Sequence, residues 1–358
     1  MTQRSSMKNR NSTLDITKGI GIILVVFGHN WAVLHEGGEL FRVIFSFHMP
    51  LFLFLSGIFL RESDSLKIFL RLRINSLIKP YFVTLLLLGV AKFSIEAIKT
   101  KALPSKYYEY IEGILYATGR TIDWGPLWFL PHLFLASFAT LLVIKFIQSS
   151  RVQLIILVLA LACGVMILNP TDLPWSLDLV PISSSFILAG YIARCLVKEM
   201  TFDLIYFLVA ITIFVSLHFF FDVTLDLNLR LYGELFISTL QAFSGIYLCL
   251  SLSVLLANCK VLNEVLSYIG SGTLFILIFH TFFQGKTFNV ISKFIDGSQI
   301  PVICSLIAGV ILPLIFWEVA KRSKYLTMAF LPEITSNCTT TNSSNTGTNS
   351  HGSLNSKK

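Results

Sequence analysis

A chain of 358 residues that is 54% hydrophobic and only 13% charged, with a mean hydropathy of +0.73, is too apolar for ordinary soluble domains, in which about a quarter of residues are charged. Its apolar residues fall in continuous runs of about 17 to 25, the length that crosses a bilayer as a helix, and not in the alternating segments of a membrane barrel. A barrel and a nucleic-acid binder are thereby excluded, and a net charge of +8 is accounted for by basic loops gathered on one side of a membrane.

The first 13 residues are basic and polar, without the short apolar core and small-residue cleavage site of a signal peptide, so the first span is expected to persist as a helix. Ten spans are expected: Leu14 to Leu34, Phe41 to Leu60, Pro80 to Ile98, Leu127 to Phe146, Val152 to Leu168, Leu179 to Val197, Phe202 to Phe221, Tyr232 to Ala257, Val265 to Gln284 and Pro301 to Ala320. With the N-terminus in the cytoplasm, the inner segments carry eighteen Lys and Arg and the outer ones eight, Lys18 and Lys92 lying within spans. The expected fold is therefore an all-α polytopic membrane protein of about ten transmembrane helices with both termini cytoplasmic. Residues 1–13 form a cytoplasmic segment and residues 14–331 a single membrane domain. Residues 332–358, rich in Ser, Thr and Asn, read as a disordered polar cytoplasmic tail. The six cysteines fall in spans, near inner ends or in the tail, so neither a disulfide framework nor a structural zinc site is implied, and no metal is expected.

Between the second and third spans, Lys67, Arg71, Asn75 and Lys79 recur every four residues with Leu66, Phe69, Leu70, Ile74, Leu77 and Ile78 on other faces, the pattern of an amphipathic helix at the inner interface. Its cations either rest on anionic lipid or bind the phosphates of a cytoplasmic cofactor. Arg73 belongs to the same segment.

Ionisable groups inside spans are costly and face the bundle interior. On the first span Lys18 and His29 are eleven positions apart, close to three turns, so they share a face with roughly 16 Å of rise between them. Lys18 either snorkels to the interface beside Asp15 or serves a ligand; His29 either bridges helices or acts as a general base, its imidazole titrating near neutral pH. His48 opens the second span ahead of Pro50, which fits a first helical turn. Trp124 and Trp128 read as interface-belt residues or as part of a site. Glu234 lies near the outer end of the eighth span and His280 in the ninth. On this topology His29, His48, His132, His280 and Glu234 share the outer half of the bundle and the basic residues the inner.

These residues resemble the acyltransferase-3 family of integral membrane O-acyltransferases, in the branch of fucose 4-O-acetylase-like proteins. The resemblance is carried by Asp15-x-x-Lys18-Gly19 running to Gly28-His29, by Phe47-His48-Met49-Pro50-Leu51-Phe52 with Ser56-Gly57, by Leu127-Trp128-Phe129-Leu130-Pro131, and by Tyr268-Ile269-Gly270 to His280. It implies a ten-helix fold and a bacterial inner-membrane location. It also implies acetyl-CoA as a passing acyl donor, with no tightly bound cofactor, and a hydroxyl of a cell-surface or lipid-linked carbohydrate as acceptor. By matching position His29 is the essential histidine and Lys18 the essential basic residue, although many relatives carry Arg there, whose fork a lysine lacks. Lys18, Arg71 and Arg73 are expected to meet the donor phosphates, His48, Ser56, Trp128 and His280 to position the acceptor or stabilise an oxyanion, and Glu234 to bind the acceptor. The rival expectation is a transporter or flippase of a lipid-linked sugar. Oligomeric state is not legible.

Overall fold

The computed structural model describes residues 12–30, 38–62, 65–101, 106–166, 172–295 and 299–331. Residues 1–11 of the expected N-terminal segment 1–13, the expected tail 332–358, and the end of the expected first span lie outside the described residues. Those described are mostly helical, with no strand among them beyond one isolated β-bridge, Asp226 to Leu231. In chain order the helices are α1 Ser12–Gly28, α2 Glu39–Phe45, α3 His48–Ile58, α4 Leu66–Arg73, α5 Lys79–Thr100, α6 Tyr107–Tyr116, α7 Phe129–Phe146, α8 Ser150–Met166, α9 Val180–Lys198, α10 Leu204–Phe220, α11 Leu235–Ala257, α12 Lys260–Ser271, α13 Thr273–Ile291, α14 Ile300–Arg322 and α15 Lys324–Phe330.

Among the described residues, seven helical stretches are long and apolar enough to cross a membrane. α1, α8 and α10, at 17 residues each, rise only about 25 Å at 1.5 Å per residue, short of a typical hydrocarbon core. Seven full-length spans and three shorter apolar helices thus stand where ten spans are expected.

Three expected segments differ in form. The second span is broken: α2 ends at Phe45 and α3 starts at His48, with Phe47 leaving helical geometry at φ −148°. The ninth expected span straddles another break, at Gly272 between α12 and α13, so the spanning helix is Thr273–Ile291. The amphipathic segment is not a separate interfacial helix; α4 passes through a π-turn, Ile74–Ile78, directly into α5. Non-helical backbone at membrane depth is tolerated only where protein or a cavity receives it, and both breaks border the central helix.

That helix is α1, which packs against α2, α3, α11, α12, α13 and α14. Glycine allows its closest crossing: a Cβ on Gly270 of α12 would stand 1.9 Å from the Asp15 carbonyl, and one on Gly19 2.3 Å from that of Leu266. α3 and α9 cross the same way, through Gly57 against Ile187 and Gly190 against Phe54. In lipid, where hydrophobicity does not drive helices together, such small-residue contacts supply much of the attraction. Polar bonds pin α1 as well: Thr17 Oγ1 donates to Ser253 Oγ at 2.8 Å, and Gln284 Nε2 to the Val26 carbonyl at 2.9 Å.

Candidate active site

Both residues of the α1 face line one cavity of about 510 Å³. At one end stand Lys18 and Arg73, and His29, His48 and Trp128 stand at the other. Between them the walls are apolar, from Ile22, Val25, Met49, Phe52, Leu55 and Leu277, with Ser56 as a polar exception. The breaks contribute directly, since Gly270, Ser271 and Thr273 line the cavity from one and His48 and Met49 from the other.

Lys18 lies 3.4 Å from Asp15 and sits over the Phe59 ring at 4.2 Å, so its charge is held beside the cavity by the i+3 partner expected for it. Arg73 donates to Ser56 Oγ at 3.4 Å and lies 5.6 Å from the Phe69 ring. Arg71 is exposed and lines no cavity beside Arg73. Two residues on a helix are turned about 200° apart, so when Arg73 points inward Arg71 points out.

Around the far end three imidazoles gather, His29 and His48 in the cavity lining and the fully buried His280 behind it, in the lining of neither cavity. His29 and His280 have ring centroids 5.4 Å apart, and Phe45 lies between His29, at 6.1 Å, and His48, at 4.6 Å. His48 Nδ1 is 2.9 Å from the Ile44 carbonyl, and His280 Nδ1 is 2.8 Å from that of Ile276 and 3.0 Å from that of Leu277. A carbonyl only accepts, so in each neutral ring Nδ1 carries the proton and donates it, which leaves Nε2 with a lone pair. His280 Nε2 is buried and makes no hydrogen bond. Among the described residues no three His, Cys, Asp or Glu side chains are grouped to hold a metal ion.

Trp128 is only 3% exposed and tilts against His132 at 5.5 Å, so it belongs to the interior and not to an interface belt. His132, outside both cavities, bonds Ser183 Oγ through Nε2 at 2.7 Å. Glu234 is exposed at the cap of α11 and lines neither cavity.

A second cavity, of about 280 Å³, adjoins the first and shares His29, His48, Met49 and Trp128 with it. Its remaining walls are Phe41, Phe45, Gly125, Asp226, Asn228 and Leu229. Sequence reading missed Asp226 and Asn228, which resemble ordinary turn formers between two spans. A signal was present: Val223, Leu225 and Leu227 alternate, the mark of a half-buried extended segment, and all three are fully buried. Burial pushes the Asp226 carboxyl above the usual range, against backbone N–H groups of Asn228 and Leu229 that hold it down.

The family model of the acyltransferase domain matches residues 11–318. The chain belongs to the acyltransferase-3 family. It is a multi-pass membrane acyltransferase, and the match takes in the Lys18 to His29 face, both helix breaks and most of α14. No curated protein and no solved structure matches the chain.

Proposed function

We propose that this acyltransferase is an O-acetyltransferase of the fucose 4-O-acetylase-like branch, moving an acetyl group from acetyl-CoA to a hydroxyl of a cell-surface or lipid-linked carbohydrate, with His29 as general base. The observation that carries the reading is the single cavity running from Lys18 and Arg73 to His29. Two cations at one end suit the donor's phosphates, the apolar middle suits its uncharged arm, and an imidazole at the other end suits the thioester.

In the reaction His29 accepts the proton of the acceptor hydroxyl as the oxygen attacks the thioester carbonyl. The new C–O bond forms, the C–S bond breaks, and the imidazolium returns its proton to the departing thiolate, so His29 ends as it began. His280, fixed by its two carbonyls with its ring centroid 5.4 Å from that of His29, favours the imidazolium that forms midway. Ser56 Oγ, bonded to Arg73, and Trp128 shape the path. The excess of basic residues in the segments on the Lys18 side supports a cytoplasmic donor end in a bacterial inner membrane.

Transport of a lipid-linked sugar is the second reading, favoured by the two broken spans beside α1. One experiment separates the two: radiolabelled acetyl-CoA is supplied to membranes holding wild type, His29→Ala, Lys18→Ala or Arg73→Leu, each checked for insertion. Label entering carbohydrate with wild type and lost with His29→Ala supports the acetyltransferase. Transfer by His29→Ala at the wild-type rate overturns it.

A further inference from the structure

The second cavity differs from the first in charge. The first is lined by Lys18 and Arg73, whereas the second has the Asp226 carboxylate and neither lysine nor arginine in its lining. The two suit different molecules: phosphates meet attraction in the first and repulsion in the second. The two walls of the smaller cavity also differ. Phe41 and Phe45 stack with centroids 4.0 Å apart on one side, and Asp226 and Asn228 supply oxygen and nitrogen on the other.

The loop that brings them is fixed from within. Asp226 Oδ1 accepts from the Leu229 N–H at 3.0 Å, and its carbonyl from the Leu231 N–H at 2.9 Å. Arg230, in left-handed geometry at φ 57°, donates through Nε to Asp178 Oδ2 at 3.0 Å, which ties the turn to the start of α9. In that turn Asn228 lines the cavity while its side-chain amide packs against Gly119, where an added Cβ would stand 1.8 Å from Oδ1.

We infer that the 222–231 loop is the acceptor subsite: Asp226 receives a hydroxyl of a neutral, single-ring carbohydrate whose apolar face lies on Phe41 and Phe45, with Asn228 and Leu229 completing the wall, presenting one further hydroxyl to His29. The inference rests on the acetyltransferase reading and adds the acceptor's chemistry. A ring carries hydroxyls on its rim and C–H groups on its faces, the pairing these walls offer. Phosphorylated or carboxylated sugars are excluded from this cavity by Asp226. A volume of about 280 Å³ is at the lower end for ligand cavities and fits one ring, with any further chain left outside.

The test uses the full chain in detergent or nanodiscs, with methyl hexopyranosides as acceptor probes and acetyl-CoA as donor. Asp226→Asn keeps an oxygen for the Leu229 N–H but removes the charge. Gly125→Leu fills the cavity from a position where an added Cβ meets no atom within 4 Å. Wild type is expected to be thermally stabilised by at least one glycoside and separately by acetyl-CoA; both variants should lose the glycoside shift and keep the acetyl-CoA shift. Where glycoside is acetylated, its KM should rise at least tenfold in both variants with the acetyl-CoA KM unchanged. A glycoside shift without acetylation would leave the subsite standing and remove the proposed reaction. No glycoside shift in wild type, or variants that keep it, or equal loss of both shifts, overturns the subsite.

Discussion

If the site depends on where α1 is held, a single methyl group at its closest crossing should disable the enzyme without touching a functional side chain. In Gly270→Ala the new Cβ would stand 1.9 Å from the Asp15 carbonyl oxygen and 3.0 Å from Gly19 N. Ordinary contact begins at 3.4 Å, so α1 and α12 must part by roughly 1.5 Å, and neither partner is a flexible side chain that could yield. Alanine gains about 1 kcal/mol of helix propensity over glycine, while overpacking costs about 1–3 kcal/mol, so the net is a loss. The catalytic cost is larger: Asp15 and Lys18 ride on the displaced turn, and a misplacement of about 1 Å can cost on the order of 10²-fold in rate. Gly285→Ala on α13 is the control, because nothing lies within 4 Å of its Cβ; it should be neutral or stabilising by up to about 1 kcal/mol. The assay is acetyl transfer by equal amounts of inserted protein, with thermal unfolding in detergent measured beside it. A Gly270→Ala protein with wild-type melting and rate, or a Gly285→Ala protein equally impaired, would refute the argument that the α1 crossing positions the site.

Three further outcomes are expected. Raising ionic strength should weaken acetyl-CoA affinity more than acceptor affinity, and Arg73→Leu should flatten that salt dependence relative to wild type in KM measurements from low to physiological salt. His280→Phe, which keeps a ring against His29 but no nitrogen, should lower kcat and leave the acetyl-CoA KM near wild type; a changed KM with intact kcat would assign His280 to binding instead. For Asp226, burial holds the folded carboxyl above its unfolded value near 3.9 despite the attraction of Arg230, with His29 and His48 lining the same cavity. The folded state therefore binds the proton more tightly, and stability is lost as pH rises from about 4 through the raised value. Asp226→Asn should then melt above wild type at neutral pH and converge with it under acid, and the reverse order would show that the carboxylate is structurally favourable.

The sequence makes the α1 face legible because helical periodicity alone brings positions eleven apart to one side, and Lys18 and His29 duly line one cavity. Spacing could not tell Arg73, which lines the cavity, from Arg71, which does not, since the inward side of α4 is set by its unbroken passage into α5 and by the burial of Phe69. Trp128 shows the limit of the interface-belt argument: a tryptophan at the start of a span reads the same whether it meets headgroups or, as here, the imidazole of His132. The two breaks were hidden for different reasons. Phe41 to Leu60 is apolar enough to read as one span despite Arg42 and His48, and no glycine marks the turn at Phe47, although Pro50 hinted at a helix start there, while Gly272 lies inside a run apolar enough to read as one span. Asp226 and Asn228 come to His29 only through tertiary folding of a loop that is far from α1 in sequence.

If His29 is the base, its place in the wall between two cavities has a chemical consequence. His29, His48, Met49 and Trp128 are common to both linings, so a hydroxyl in one and a thioester in the other need not share a volume to meet at one imidazole. On the proposed reaction, the cations of the larger cavity would attract the donor's phosphates and the carboxylate of the smaller one would repel them, so charge would sort the two substrates before they meet at His29. The break at Phe47 serves the same end: it lets the last turn of α2 offer the Ile44 carbonyl to His48, satisfying one of the carbonyls that a helix terminus leaves unpaired and fixing the tautomer of the second imidazole in that wall.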